Sequence, residues 1–259
     1  MAENLNIAML QANLEWEKIQ ENLDNFEEKI RGLSEEVDLI ILPEMFTTGF
    51  SMNASKLAEP ANGPAFEWMQ KMASEKDAAV TGSIITSQKG HFYNRLYFVF
   101  PDGSSKKYDK KHTFTLAGEH ETYSAGTERL IVEYRGWKIC PLVCYDLRFP
   151  VWARNTEDYD LLIYVANWPA RRVTAWDVLL KARAIENMSY CIGLNRVGLD
   201  GKDLDYVGHS AVYDSLGKKV SQKAQEEEWQ EEVTLYKKHL QDTRSQLRFL
   251  QDRDKFTLQ

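Results

Sequence analysis

Cys144 stands where an apolar run of the sequence gives way to a turn. The run is Trp137–Val143, and the segment Tyr-Asp-Leu-Arg-Phe-Pro follows the cysteine. A thiol at the end of a buried strand reaches solvent while the strand fixes its position, which is the geometry that a nucleophile requires. The alternative is a packed thiol that acts as a small apolar side chain. Reactive residues elsewhere in the chain favour the first interpretation.

Two other segments end in residues that complement a thiol. Residues 37–42 are rich in Val, Leu and Ile, which is typical of a strand buried on both faces, and Pro43 and Glu44 follow them. Lys110 follows a polar segment that begins after the turn Pro-Asp-Gly at 101–103, as in the second arm of a hairpin. Where the ends of such strands coincide at one edge of a sheet, a carboxylate, an ammonium group and a thiol converge.

A carboxylate, an ammonium group and a thiol form a set that is suited to acyl transfer. Glu44 takes the thiol proton as a general base, and Lys110 lowers the thiol pKa and holds the developing oxyanion. The backbone N–H of Tyr145 is the candidate for the second oxyanion donor. The set predicts attack of Cys144 on a carbonyl carbon, which gives a thioester that water then hydrolyses.

At these segments the chain resembles the nitrilase superfamily, the carbon–nitrogen hydrolases with a Glu-Lys-Cys triad. The matching segments are Leu-Pro-Glu at 42–44, Tyr-Asp-Lys-Lys-His-Thr-Phe at 108–114 and Val-Cys-Tyr-Asp-Leu-Arg-Phe-Pro at 143–150, with shorter matches at 93–94, 101–103, 182–187 and 195–198. The resemblance implies an α/β fold, a four-layer α-β-β-α sandwich of the nitrilase type. It also implies that two copies pair into an eight-layer homodimer.

The lysine of the triad has an adjacent competitor. Neighbouring residues of an extended segment point to opposite sides, so only one of Lys110 and Lys111 can enter the site. The spacing to His112 in the family pattern selects Lys110, and Lys111 is then expected to be solvated. Glu119 matches the second glutamate of the family, which supports the lysine and the substrate amide. The alternative for Glu119 is a solvated loop carboxylate.

Two segments, at 44–52 and 166–169, resemble the bacterial omega-amidase branch of the superfamily. This resemblance implies an amidohydrolase that cleaves the terminal amide of small ω-amido 2-oxo acids, such as 2-oxoglutaramate and 2-oxosuccinamate, without a cofactor. The alternatives within the superfamily are an aliphatic amidase, an N-carbamoyl hydrolase and a nitrilase, which need the same triad. An alternative from another class is a binding protein that keeps the fold without the chemistry.

Such a substrate carries a carboxylate, which a planar guanidinium binds with two hydrogen bonds. Arg148, just after the nucleophile, is the first candidate for this contact, with Arg171 and Arg172 behind it. The alternative for each arginine is a surface or structural ion pair. Phe50 and Trp168 are candidates for the apolar wall of a narrow pocket, although aromatic side chains also fill cores.

The composition indicates a soluble enzyme and argues against several other classes. With 259 residues, of which 43% are hydrophobic, and no Pro, Gly or Ser linker, we expect one carbon–nitrogen hydrolase domain over 1–259. The formal net charge of −7 argues against a nucleic-acid partner. No apolar run approaches the length of a membrane helix, and the five histidines and three cysteines show no metal-ligand spacing.

The cysteine count and the first residues predict a cytoplasmic protein. An odd number of cysteines does not indicate a disulfide framework, and residues 1–4 do not open a basic region followed by an apolar stretch, as a secretory signal would.

Residues 222–259 depart from the alternation of strands and helices. The acidic segment at 226–232 predicts a solvated loop or edge, and a strand at 233–236 and a helix at 240–250 are candidates. The resemblance implies that this C-terminal extension contacts the partner subunit, with Phe249 as a candidate contact.

Replacing Lys110 with Ala tests which of the two adjacent lysines enters the site. Loss of an oxyanion donor is expected to lower kcat by at least about 10²-fold. Lys111→Ala is the matched control and is expected to keep kcat close to that of the wild type. Ammonia release from an amide substrate measures both variants, and a larger loss in Lys111→Ala would transfer the role to Lys111.

Overall fold

Two large β-sheets with helices on their outer faces, together with a small two-stranded sheet, make up the structure, a computed structural model that describes residues 4–223 and 226–257. The helices are α1 (Ile19–Arg31), α2 (Ala54–Leu57), α3 (Pro64–Lys76), α4 (Glu119–Thr122), α5 (Pro150–Ala153), α6 (Val173–Asn187) and α7 (Lys237–Leu247). The strands are β1 (Leu5–Gln11), β2 (Leu39–Ile41), β3 (Glu59–Pro60), β4 (Ala79–Gln88), β5 (His91–Val99), β6 (Ser105–Asp109), β7 (Val132–Tyr134), β8 (Trp137–Val143), β9 (Leu161–Ala166), β10 (Tyr190–Asn195), β11 (Val197–Leu199), β12 (Asp205–Val207), β13 (Ala211–Tyr213) and β14 (Trp229–Leu235).

Strand direction brings the ends of several strands to one edge. In the described residues, the first sheet has the order β14-β1-β2-β4-β5-β6, with β3 beside β4. β1, β2 and β4 are parallel, and β6 runs in the same direction because β5 is antiparallel to both β4 and β6. In the second sheet, β13-β10-β9-β8-β7, the strands β8, β9 and β10 are parallel. Glu44 therefore follows β2, Lys110 follows β6 and Cys144 follows β8.

Alternating side chains along β1 explain how the layers stack. Ile7 and Met9 belong to a buried apolar cluster that also contains the strands of the second sheet. Ala8 and Leu10 face the other way, into a cluster with residues of α1 and α3. On the far side, α6 packs against β10 of the second sheet. The layers run helix, sheet, sheet, helix, which confirms the predicted four-layer α-β-β-α sandwich.

The acidic segment at 226–232 is partly an edge of the sheet, one of the two arrangements that the sequence predicts. Its second half begins β14, which pairs antiparallel with β1, so this part is an edge strand and not a loop. Glu232 accepts hydrogen bonds from the backbone N–H and the hydroxyl of Ser34, at 2.9 and 2.6 Å. Glu232 lies on the exposed face of the strand, whereas Glu231 is buried on the other face, and charge alone did not distinguish a strand edge from a loop.

The C-terminal helix α7 docks on its own chain through Arg244. The Arg244 Nη1 atom lies 3.0 Å from Asp160 Oδ1, and its Nε donates to the Met188 carbonyl at 2.7 Å. Phe249, beyond the helix, is 58% exposed. The predictions made for residues 1–3, and those for the extension that fall on 224–225 and 258–259, lie outside the described residues. Within the described ranges, no helix is both long enough and apolar enough to span a bilayer.

The contact between α6 and β10 generates a stability prediction. A Cβ atom at Gly193 would lie 2.3 Å from Leu180 Cδ1 and 2.7 Å from the Trp176 ring. Gly193→Ala is therefore expected to lower the free energy of unfolding by about 1–3 kcal/mol, the usual cost of overpacking a core. Gly32→Ala is the control, since its nearest atoms lie at 3.4 Å, and urea unfolding followed by fluorescence measures both. Equal effects of the two substitutions would contradict the prediction.

Candidate active site

Cys144 directly follows β8 and has a backbone conformation that is uncommon for a residue with a side chain. Its φ is +44°, and it opens a short 3-10 helix, Cys144–Arg148. A positive φ is unfavourable outside glycine and persists where the surrounding structure imposes it, frequently at functional sites. Val143 is fully buried, whereas Cys144 is only partly buried. The turn thus directs the thiol out of the core, as the sequence predicts.

Lys110 is buried between two carboxylates. Its Nζ lies 2.9 Å from Glu44 Oε1 and 3.0 and 2.9 Å from the two oxygens of Glu119. None of the three side chains is more than 1% exposed. A buried ammonium group requires such partners, because removing an unpaired charge from water is costly. Glu119 is therefore not the solvated loop carboxylate of the alternative interpretation.

Two asparagines hold the Glu44 carboxylate. The Nδ2 atom of Asn94 donates to Glu44 Oε1 at 2.8 Å and to Glu119 Oε1 at 3.2 Å. The backbone N–H of Asn167 donates to Glu44 Oε2 at 2.8 Å, and the Cys144 Sγ atom lies 3.9 Å from the Asn167 carbonyl oxygen. The sequence analysis assigned neither amide a role. The signal for Asn167 was its position directly after β9, the same signal that identified Glu44 and Cys144.

Burial and charge set the protonation states of the cluster. Burial alone would lower the pKa of Lys110, but the Glu119 and Glu44 carboxylates outweigh it and raise that pKa, so Lys110 is an ammonium group. Burial raises the pKa of the Cys144 thiol well above its ordinary value, and Glu44 raises it further. Lys110 lowers the thiol pKa, as predicted, but its contribution is smaller. The thiol is therefore protonated at neutral pH and needs a base.

Cys144 opens onto a cavity of about 230 Å³. The predicted residues that line it, in addition to Lys110 and Cys144, are Phe50, Tyr145, Arg148 and Trp168. The Phe50 ring centre lies 5.2 Å from Lys110 Nζ, and the guanidinium carbon of Arg148 lies 4.8 Å from the Trp168 ring centre. Trp168 is 2% exposed, and its Nε1 donates to the Arg172 carbonyl at 2.8 Å. The Trp168 side chain is thus part of the apolar core and also forms part of the cavity wall.

The cavity contains guanidinium groups without acidic partners. Arg148, Arg171 and Arg172 line it, and the arginine ion pairs in the described part of the chain are formed by other residues. Burial, together with the neighbouring Arg171 and Arg148, lowers the pKa of Arg172. The Asp200 carboxylate also lines the cavity, but it accepts hydrogen bonds from two N–H groups of its own loop and from the Tyr206 hydroxyl. The cavity is therefore suited to an anion.

The remaining candidates for chemistry lie elsewhere. Lys111 lies outside the cluster, with its Nζ 5.3 Å from the Trp152 ring centre. We expected this side chain to be solvated, and it is half-buried. Cys140 and Cys191 are fully buried free thiols, and burial raises the pKa of Cys140 to about 12. In the described residues, no group of three or more His, Cys, Asp or Glu side chains is arranged to hold a metal ion.

Fold and site together define an enzyme that hydrolyses carbon–nitrogen bonds. Residues 6–246 match the family model of the carbon-nitrogen hydrolases, and the chain belongs to this family. The resemblance inferred from the sequence motifs is confirmed.

Named relatives cover nearly the whole chain. Omega-amidase YafV of Yersinia enterocolitica is 45% identical over 254 residues, 98% of each chain. The 2-oxoglutaramate amidase of Bacillus subtilis is 35% identical over 226 residues, which are 85% of this chain and 87% of its own. XC1258 from Xanthomonas campestris, a CN-hydrolase superfamily protein with an arsenic adduct in its active site, matches with a TM-score of 0.97 at 42% identity over 99% of this chain and 100% of its own.

Glu44→Gln is expected to change turnover and thiol reactivity in opposite directions. Loss of the base should lower kcat by about 10²- to 10⁴-fold. Because Glu44 raises the thiol pKa and Lys110 lowers it, the pH midpoint for alkylation of Cys144 by iodoacetamide should move downward. Glu67→Gln, on the exposed face of α3, is the control. An upward shift of the midpoint, or unchanged kcat, would contradict the assignment of Glu44.

Proposed function

We propose that the protein is an amidohydrolase that cleaves the terminal amide of small ω-amido 2-oxo acids, with 2-oxoglutaramate and 2-oxosuccinamate as substrates. The products are the dicarboxylate and ammonia. The observation that carries this proposal is the juxtaposition of the buried Glu44, Lys110 and Glu119 cluster with a small cavity that contains unpaired arginines. Relatives named omega-amidase and 2-oxoglutaramate amidase support it.

The charges of the site favour an anionic substrate over a neutral amide or nitrile. The Lys110 ammonium group is outnumbered by the carboxylates of Glu44 and Glu119, so the inner cluster is unsuited to a carboxylate. The guanidinium groups of Arg148 and Arg172 line the same cavity, and neither forms an ion pair with an acidic side chain of residues 4–223 or 226–257. A substrate with a carboxylate at one end and an uncharged amide at the other matches this polarity.

The proposed first half of the reaction forms a thioester. Glu44 takes the proton of the Cys144 thiol as the sulfur attacks the amide carbon. The oxyanion that develops on the amide oxygen is stabilised by the Lys110 ammonium group and the backbone N–H of Tyr145. The carbon–nitrogen bond breaks, the nitrogen takes the proton from Glu44, and ammonia leaves. Glu119 keeps Lys110 in place and contacts the substrate amide.

The proposed second half returns the enzyme to its starting state. Glu44 takes a proton from a water molecule as the water oxygen attacks the thioester carbonyl, and the same donors stabilise the oxyanion. The carbon–sulfur bond breaks, Glu44 returns the proton to the Cys144 sulfur, and the carboxylic acid product leaves as its anion. No step requires a redox change or an external cofactor.

Recognition of the substrate carboxylate is proposed to centre on Arg148. A guanidinium presents two parallel N–H donors to a carboxylate, and the Arg148 guanidinium carbon lies 4.8 Å from the centre of the Trp168 ring. Phe50 and Trp168 provide the apolar surface for the short carbon chain of the substrate.

We also propose a cytoplasmic homodimer of one hydrolase domain per chain. The free thiols of Cys140, Cys144 and Cys191 suit a reducing compartment. The exposed Phe249 ring, which follows the docked helix α7, is a candidate contact of the C-terminal extension with the partner.

A substrate panel tests the proposed activity. Ammonia release is measured from 2-oxoglutaramate, glutamine, a neutral aliphatic amide, an N-carbamoyl amino acid and a simple nitrile, with Cys144→Ala as the blank. We expect preference for 2-oxoglutaramate and no turnover in Cys144→Ala. Activity confined to another member would overturn the substrate assignment, and hydrolysis by Cys144→Ala would overturn the thioester route.

Arg148→Ala tests the carboxylate contact. Loss of the guanidinium is expected to raise KM for 2-oxoglutaramate by about tenfold or more, the effect of losing one charged hydrogen-bonding partner. KM for a neutral amide should change little. Arg31→Ala, which removes an exposed surface guanidinium of α1, is the control and is expected to leave KM for both kinds of substrate unchanged. Equal changes in KM for both kinds of substrate in Arg148→Ala would remove Arg148 as the anchor.

A further inference from the structure

Asp146 lies behind the nucleophile turn and is fully buried. Its Oδ2 atom accepts hydrogen bonds from the Val143 N–H at 3.0 Å and from the Tyr108 hydroxyl at 2.8 Å. Its Oδ1 atom accepts one from the His112 N–H at 3.0 Å and lies 2.7 Å from His112 Nδ1. Each oxygen of the Asp146 carboxylate thus faces two donors, which is as many hydrogen bonds as a carboxylate oxygen ordinarily accepts. Asp146 is not among the residues that line the cavity.

These four contacts connect the two segments that carry the reacting groups. Tyr108 and His112 stand two residues before and two residues after Lys110, on the segment that ends β6 in the first sheet. Val143 is the last residue of β8 in the second sheet and directly precedes Cys144. The Asp146 carboxylate therefore fixes the chain on both sides of Lys110 to the backbone immediately before the thiol.

The partners of Asp146 are themselves held in place. The Tyr108 hydroxyl oxygen accepts hydrogen bonds from Trp152 Nε1 at 3.0 Å and from the Lys111 N–H at 3.1 Å. The His112 ring stacks on Phe149, with ring centres 3.6 Å apart and planes 4° apart. Satisfied networks of this kind in a buried setting are rigid, because every displaced member would leave a polar group without a partner.

The turn at Cys144 needs such a support. The positive φ of Cys144 is an unfavourable conformation. The hydrogen bond from the Val143 N–H to the Asp146 side chain closes the turn across three residues. Without this bond, the strand would have no side-chain acceptor at the point where it bends.

We propose that Asp146 is a positioning residue that sets the distance between Cys144 and Lys110, with Tyr108 and His112 as the groups through which it acts on the lysine segment. This inference rests on the proposed function, because it requires Cys144 and Lys110 to act in the same reaction. Asp146 does not contact the substrate. Its loss changes the rate of the chemical step and leaves the binding of the substrate intact.

Asp146→Asn is the first test. In the asparagine, an NH₂ group replaces one of the two carboxylate oxygens and can no longer accept the two hydrogen bonds that this oxygen received. One of the links between the two segments is therefore lost. We expect kcat to fall by about 10- to 100-fold, the scale of a small misplacement of reacting groups, and KM to stay within about twofold. Rates are expressed per folded chain, with the folded fraction of each variant taken from circular dichroism, so that unfolded protein does not lower kcat.

A rescue experiment at His112 keeps the proposal testable if Asp146→Asn does not fold. His112→Ala removes the ring contact with Asp146, whereas His112→Asn keeps an N–H donor at a similar distance from the backbone. We expect His112→Ala to lower kcat and His112→Asn to restore most of it, with KM unchanged in both. A purely structural role would lower the midpoint of thermal unfolding without this pattern in kcat.

Asp160→Asn is the matched control. Asp160 is also a buried carboxylate that accepts a backbone N–H of the same strand, that of Lys138 at 2.9 Å, but at the opposite end of β8. The Asp160→Asn variant is expected to have a lower unfolding midpoint and an unchanged kcat per folded chain. The proposal is overturned if kcat stays within about twofold of wild type in both Asp146→Asn and His112→Ala. Turnover in Cys144→Ala would instead refute the proposed function.

Discussion

A lysine ammonium group held between two carboxylates, away from water, is the interaction on which the rest of this structure depends. Removing Lys110, Glu44 and Glu119 from solvent is costly, and mutual pairing offsets that cost only when the geometry is good and the remaining oxygens are hydrogen-bonded. Asn94 donates to both carboxylates, and the Phe114 N–H donates to Glu119 at 2.5 Å. These bonds explain why loops and strand ends converge at this point.

The cluster also makes the packing of the two sheets a functional requirement. Glu44 and Lys110 extend from strands of the first sheet, whereas Cys144 and Asn167 follow strands of the second. The apolar cluster between the sheets, to which Ile7 and Met9 contribute, therefore stabilises the fold and aligns the site at the same time. A shift of one sheet against the other would change the distance between Cys144 and Glu44.

The site has two regions of opposite charge within a short distance. Around Lys110 the carboxylates are in excess, and its surroundings raise the pKa of the Cys144 thiol, which keeps it protonated. At the cavity wall, Arg148 and Arg172 supply positive charge with aromatic rings beneath them. Under the proposed function this separation orients the substrate, because the carboxylate end is attracted to the arginines and the amide end faces the thiol.

The sequence by itself determined the strands and the reactive residues at their ends. Apolar runs that stop at Glu44 and Cys144 predict buried strands followed by exposed functional groups, since backbone period and side-chain polarity are local properties. Motif spacing gave Lys110, and the extent of β8 matches the apolar run Trp137–Val143. Charge did not distinguish the edge strand β14 from a loop, because an edge strand also presents a polar face to water.

Only the tertiary structure decided which groups meet and in which protonation state. Asn94 and Asp146 lie in segments that match the family, but those segments do not show what the two side chains bind. The carboxylates that Asn94 contacts, and the Tyr108 hydroxyl that Asp146 accepts from, lie 25 or more residues away in the chain. The sequence predicts that Lys110 lowers the pKa of Cys144, but burial and Glu44 outweigh it. The reason is that hydrogen bonding across segments and desolvation depend on distances in space, which the order of residues along the chain does not contain.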